Sequence, residues 1–153
     1  MPRAAIGIGS NTGDPVAHVR RALARLGALG TVIAASPLYR TPPWGVGDQA
    51  PFVNAAALLE TALTPRALLA ALKAIETDEG RVPTYRWGPR ALDLDILTYA
   101  DIALHEADLI VPHPQLRRRA FALVPLAAID SRWAAARDAL PPGELAAVVE
   151  LNA

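Results

Sequence analysis

Cysteine is absent from this 153-residue chain, which excludes disulfides, thiolate metal sites and cysteine nucleophiles. Net charge is absent too: 15 Lys and Arg balance 15 Asp and Glu. A general nucleic-acid binder carries a strong basic excess, so that class is disfavoured, although a local basic pocket stays open. No apolar run reaches the roughly 18 residues of a membrane span. The opening MPRAAIGIGSNTGD has no long apolar region and does not read as a signal peptide. No membrane partner is therefore expected, the cytoplasm is the default location, and a monomer is the expected assembly. Lysine is almost missing, with Lys73 the only one. Arginine in its place suits phosphate chemistry, but a coding bias toward Ala and Arg explains the overall excess more simply. Only the placement of the arginines carries information.

Several motifs are lacking as well. Gly7, Gly9 and Gly13 miss G-x-G-x-x-G, because Thr12 stands where the third glycine belongs. There is no G-x-x-x-x-G-K-[ST] phosphate loop and no G-x-S-x-G nucleophile elbow. The histidines His18, His105 and His113 have no metal-ligand spacing. The aromatic pattern of an RNA-binding sheet is missing. No repeat or linker divides the chain, so residues 1–153 are expected to form one domain.

Residues 4–9 read as a short buried strand. Asp14 is a candidate helix cap with Pro15 in the first turn, and Val16, Val19, Leu23 and Leu26 follow at helical spacing. Thr31 to Tyr39 reads as a strand, residues 40–51 as a long Pro/Gly loop, and Phe52 to Glu60 as another strand. Thr64-Pro65 starts a second helix with Leu68, Leu69, Leu72 and Ile75 inward, stopped by Gly80. A second loop covers 82–89. Val111-Pro112-His113-Pro114 breaks structure. A helix is expected over 116–129, with a break near Pro125, and a terminal helix over 143–151. The order β-α-β-β-α-β predicts an α+β, ferredoxin-like sandwich, with helices on one face of an antiparallel sheet.

The run GRVPTYRWGPRALDLDILTY at residues 80–99 carries the most chemistry. Arg81, Arg86 and Arg90 lead into Asp93 and Asp95, two apart on a strand. They share one face, with α-carbons about 6.6 Å apart, while Leu92, Leu94 and Ile96 share the other. Two such carboxylates can hold one or two Mg²⁺ ions, roughly 3.5–4 Å apart when paired. Arginine forks match phosphate oxygens, so the combination suits a polyphosphate ester. A competing reading is an edge strand whose acidic face discourages pairing, with Arg90 as the compensating cation.

Four segments, AIGIGSNTGD, SPLYRTPPWGVGDQAPFVNAA, RWGPRALDLDIL and VPHPQLRRRAFAL, occur in an order and a chain length that closely resemble the 6-hydroxymethyl-7,8-dihydropterin pyrophosphokinases of folate biosynthesis. The resemblance covers residues 5 to about 130. It implies diphosphate transfer from ATP, as co-substrate, to the hydroxymethyl group of the pterin, with AMP released and two Mg²⁺ ions required. It implies that Asp93 and Asp95 are the metal ligands, and that Arg81, Arg86 and Arg90 act with them in catalysis. Phe52 and Phe121, the only phenylalanines, would sandwich the pterin; Asn54, Thr41 and Pro42 would line its pocket. Glu76, Arg86, Trp87, Arg90, His113 and Arg119 would surround the nucleotide, and the two loops would close over both substrates. Pro83 departs from the family, which often has an arginine there.

Alternatives stand beside these roles. Two phenylalanines are ordinarily core residues, Arg117 to Arg119 ordinarily a solvated helix face, and Glu76 an i, i+3 partner of Lys73. A non-catalytic ligand-binding module of the same topology would need neither the acid pair nor two tryptophan-bearing loops.

Overall fold

The computed structural model describes residues 1–42, 50–80 and 91–151. The expectations for Trp44, Arg81, Arg86, Trp87 and Arg90 lie outside the described residues. In chain order the elements are β1 (Arg3–Ser10), α1 (Pro15–Leu26), β2 (Thr31–Ala35), β3 (Tyr39–Thr41), β4 (Phe52–Glu60), α2 (Pro65–Asp78), β5 (Asp93–Tyr99), β6 (Leu104–Glu106), β7 (Leu109–Val111), α3 (Ala120–Ile129), α4 (Ala134–Asp138), α5 (Pro142–Ala146) and β8 (Val149–Glu150).

The two long helices begin where their capping chemistry places them. Asp14 accepts the Ala17 N–H at 3.1 Å, and Thr64 accepts the Ala67 N–H at 3.2 Å, each satisfying one orphan donor for roughly 1 kcal/mol. A proline follows each cap in the first turn. Gly80 closes α2 at φ +89°, a conformation that glycine adopts at little cost.

The main sheet is antiparallel in the order β5-β1-β4-β3-β8, with β2 also pairing β4. The central strand order is the ferredoxin-like one expected. The anticipated strand over 31–39 is split, because Pro37 has no N–H to give the ladder. Ser36 bridges the gap. Its N–H donates to the Ala56 carbonyl at 2.8 Å, and its Oγ accepts the Ala56 N–H at 2.9 Å.

Alternation divides the strands cleanly. Ala4, Ile6 and Ile8 of β1, Val53, Ala55, Ala57 and Leu59 of β4, and Leu94 and Ile96 of β5 pack with Val19, Ala22 and Leu26 of α1 and Leu68, Leu72 and Ile75 of α2. The opposite face is not left open as expected. Ala5, Ala56 and Leu97 pack there against Leu116, Ala120, Leu123 and Leu126, so helices cover both faces. The sequence of α3, AFALVPLAAI, is apolar all round. Such a helix needs cover on every side, and Leu140, Leu145 and Val148 join the same cluster.

The C-terminal half departs from expectation in other ways. Residues 116–118 form a 3-10 turn, Arg119 is extended (φ −108°, ψ 98°), and α3 starts only at Ala120. The helix expected over 143–151 stops at Ala146, and β8 pairs with β3 instead. The β6–β7 hairpin was not anticipated. Arg66 of α2 ties it down through Glu106 and Asp108.

Candidate active site

The face covered by α3 is only half consumed by core. Along β1 the residues that share Ala5's side are Gly7 and Gly9. In register, Gly9 lies between Asp93 of β5 and Asn54 of β4, and Gly7 between Asp95 and Ala56. Tyr39 pairs with Asn54, and Thr41 with Phe52. One end of this face therefore carries Asp93, Asp95, Phe52, Asn54 and Thr41 around a floor of two glycines. The other end carries Leu97 and Ala56 beneath α3.

The two aspartates do share one face, as the strand period requires, and both are partly buried. Asp95 is the more perturbed. Burial, then the neighbouring charges of Asp93 and Glu76, push its carboxyl from 3.8 to about 7, while Arg119 and Lys73 pull the other way. Glu76 arrives from α2, buried at 3 % exposure, and accepts the Leu94 N–H at 2.7 Å. β5 is an edge strand, so this carboxylate takes an outward amide that no neighbouring strand takes. Glu76 is thus a strand-edge acceptor rather than a surface partner of Lys73, which is exposed.

Asn54 is buried and donates from Nδ2 to Thr41 Oγ1 at 2.6 Å. That bond sets the amide orientation and turns Oδ1 toward Gly9. Pro42 beside Thr41 is exposed. Asn11, at the end of β1, donates to the Ala50 carbonyl at 3.2 Å and ties the segment before β4 to the same end of the sheet.

A second group enters from the α3 side. Arg119 is half-buried, with Cζ 5.6 Å from the Phe121 ring centroid, a cation–π distance. Burial lowers its pKa, opposed by Asp95 and Asp93; a guanidinium so placed stays charged. Its extended backbone takes it off the helix, unlike Arg117 and Arg118, which are exposed. The His113 N–H donates to the Leu97 carbonyl at 2.8 Å, which docks the Pro-flanked turn on β5. His113 Nδ1 accepts the Gln115 N–H at 3.2 Å, so the neutral ring carries its proton on Nε2. Burial first, then Arg119, lowers the His113 pKa, with Asp93 opposing.

The acidic pair, Asn54 with Thr41, and Arg119 with Phe121 are thus placed at one end of the sheet. Among the described residues no group of three His, Cys, Asp or Glu side chains could hold a metal ion. The glycine floor was missed: Gly7 and Gly9 were read against a dinucleotide motif, when their i, i+2 spacing on a strand marks one bare face.

A βαββαβ sheet bearing an acid pair, a half-buried arginine and aromatics at one end defines a ferredoxin-like domain with a candidate site for a charged, ring-bearing substrate. The chain belongs to the 7,8-dihydro-6-hydroxymethylpterin-pyrophosphokinase (HPPK) family, whose profile matches residues 5–131. It is 47% identical over 131 residues to the 2-amino-4-hydroxy-6-hydroxymethyldihydropteridine pyrophosphokinase of Methylorubrum extorquens, covering 84% of this chain and 83% of that one. Its identity to the Pseudomonas aeruginosa protein of the same name is 46% over 129 residues, covering 83% and 80%. Among solved structures it is similar to an HPPK-DHPS in complex with substrates (TM-score 0.69, 16% identity, 90% of this chain and 43% of that one). It is also similar to the wild-type Plasmodium falciparum HPPK-DHPS with SDX-DHP (TM-score 0.62, 16% identity, 84% and 40%). The chain spans under half the length of those two solved chains, and the likeness there is one of fold.

Proposed function

We propose that this chain transfers the β,γ-diphosphate of ATP to the hydroxymethyl group of 6-hydroxymethyl-7,8-dihydropterin, giving AMP and the pterin diphosphate for folate biosynthesis. The observation that carries it is the shared face of Asp93 and Asp95 beside Asn54 and Thr41, in a chain of this family.

Mg²⁺ fits the donor set. Two carboxylates supply hard oxygen ligands, and a carboxyl raised to about 7 by burial first and then by the neighbouring negative charges of Asp93 and Glu76 is one that a cation would relieve. Magnesium typically takes one or two protein carboxylates and completes its shell with phosphate and water, which suits a pair with no third acidic or histidine ligand among the described residues. Asp93 and Asp95 would hold two ions, which when bound neutralise the triphosphate and polarise its phosphoryl groups.

The chain's own groups do the positioning. Phe52 and Phe121 would stack on the pterin, worth about 0.5–1.5 kcal/mol per ring beyond area burial. Asn54 and Thr41 would bond the pterin edge, with Pro42 beside them. Arg119 would offset charge on the phosphoryl oxygens, and His113 would donate from Nε2 to the nucleotide phosphates. Glu76 would hold the start of β5, and so the acid pair, in register. Arg81, Arg86, Arg90 and Trp87 would complete the nucleotide side. The hydroxyl then attacks the β-phosphorus in line and AMP leaves, with no covalent enzyme intermediate; rate comes from orientation and electrostatics. The deciding assay is AMP release from ATP. Release that requires both Mg²⁺ and the hydroxymethyl-dihydropterin supports the reading, and release indifferent to the pterin overturns it.

A further inference from the structure

Gly9 sits in the tightest place on the site floor. A Cβ built there would stand 2.6 Å from Asn54 Oδ1, 3.6 Å from Asn54 Cγ and 3.8 Å from the edge of the Phe52 ring. The first distance is well inside van der Waals contact. The Asn54 amide has little slack with which to yield, being 6 % exposed and held by Thr41 at 2.6 Å. Gly7, two residues back, is less constrained, since the nearest atoms its Cβ would meet belong to the Leu97 side chain, at 3.2 Å.

We propose that Gly9 is a positioning residue for ligand recognition: its missing side chain lets the Asn54 amide lie across β1 in the one orientation that Thr41 holds. The inference deepens the pterin-binding reading and rests on it. With one Nδ2 hydrogen on Thr41, the amide offers Oδ1, an acceptor, above Gly9 and keeps a second N–H to donate. Thr41 Oγ1 has accepted one bond and still has its own proton to donate. The floor therefore selects a flat heterocycle whose edge places an N–H donor next to an acceptor, as an aminopyrimidinone ring does. A methyl at position 9 would turn the amide, break the Thr41 bond and scramble that pattern.

The test is a double-mutant cycle of Gly9→Ala and Asn54→Ala, read by fluorescence titration with 6-hydroxymethyl-7,8-dihydropterin and by calorimetry with a non-hydrolysable ATP analogue. Gly9→Ala should weaken pterin binding about tenfold or more and leave nucleotide binding within about twofold. In the Asn54→Ala background the same change should add less than about twofold, because its target is gone. Pterin affinity at the parent level, or an equal loss in both backgrounds, overturns the inference. Where Gly9→Ala does not fold, Thr41→Val keeps the side-chain shape and removes the tether; it should shift the Asn54 side-chain amide signals of the ligand-free protein in ¹⁵N NMR, and unshifted signals overturn the inference. If the parent itself binds no pterin, the proposed function fails separately. The Asn54 amide signals of ligand-free Gly9→Ala then still decide: displaced signals support Gly9 as the positioning residue, and unmoved signals refute it.

Discussion

Replacing Asp95 by asparagine should make the metal-free protein more stable, and only on the alkaline side. In the folded chain its carboxyl titrates at about 7 rather than 3.8, chiefly from burial and then from Asp93 and Glu76. Between those values the folded state keeps a proton that the unfolded state has lost. Stability from this group is therefore greatest at low pH and falls as pH rises, levelling off above about pH 7. A rise from 3.8 to about 7, at about 1.4 kcal/mol per pH unit, sets a ceiling of about 4 kcal/mol. Asparagine removes the charge but leaves an amide to bury, so a gain of about 2 kcal/mol is expected near pH 8. For a chain of this size that is a rise of about 4–8 °C in melting temperature. Near pH 5 the folded carboxyl is protonated but the unfolded one is not, so only about a third of the penalty is present. The variant's gain should be about 2–3 kcal/mol smaller there than near pH 8, which leaves it no more stable than the parent. The assay is thermal unfolding in a chelator at both pH values, repeated with Mg²⁺. Magnesium should restore the parent near pH 8 and leave the variant unchanged. Equal melting of the two proteins near pH 8, or the same gain near pH 5, would refute the electrostatic account of the acid pair.

Asp95→Ala should abolish AMP release while the far-UV spectrum stays native; parental turnover at saturating Mg²⁺ would end the metal-ligand role. Phe121→Ala should weaken pterin binding about three- to tenfold or more with ATP-analogue binding nearly intact, separable by titrating each ligand alone. Glu76→Ala should cost about 1–3 kcal/mol in urea unfolding by stranding the Leu94 N–H, whereas Glu76→Gln, which keeps an acceptor, should cost clearly less; equal losses would show that the hydrogen bond is not what matters. Arg66→Ala removes an exposed, solvent-screened ion-pair cluster and should leave the melting temperature and kcat close to the parent's; a large kinetic defect would mean the β6–β7 hairpin reaches the site.

Much of the α1, α2, β1, β4 and β5 framework was legible, because each element is long enough to show its period and both helices carry cap and proline signals. The acid pair was legible for the same reason, since two residues on a strand cannot avoid sharing a face. What stayed hidden depends on pairing across the chain. β3 and β8 have three and two residues, too few to show alternation, and exist as strands through their partners. The α3 segment is apolar in every direction, so its pattern named no face; the sheet turned out to be covered on both. Arg119 was singled out by the family resemblance alone; composition placed it with two surface arginines, and the extended turn before α3 is what separates it from them. Glu76 gave no sign that it caps an edge amide, since its partner Leu94 lies 18 residues away.

One surface of the sheet serves two masters. Leu97 and Ala56 sit under α3 in the apolar cluster, and the next residues along the same strands, on the same side, are Asp95 and Asn54. α3 is anchored by Leu123 and Leu126, while Phe121 lies in its first turn and Arg119 just before it. Loosening those leucines would let the arginine and the ring drift from the acids. Packing defects in this chain should therefore surface as lost turnover before they surface as lost folding.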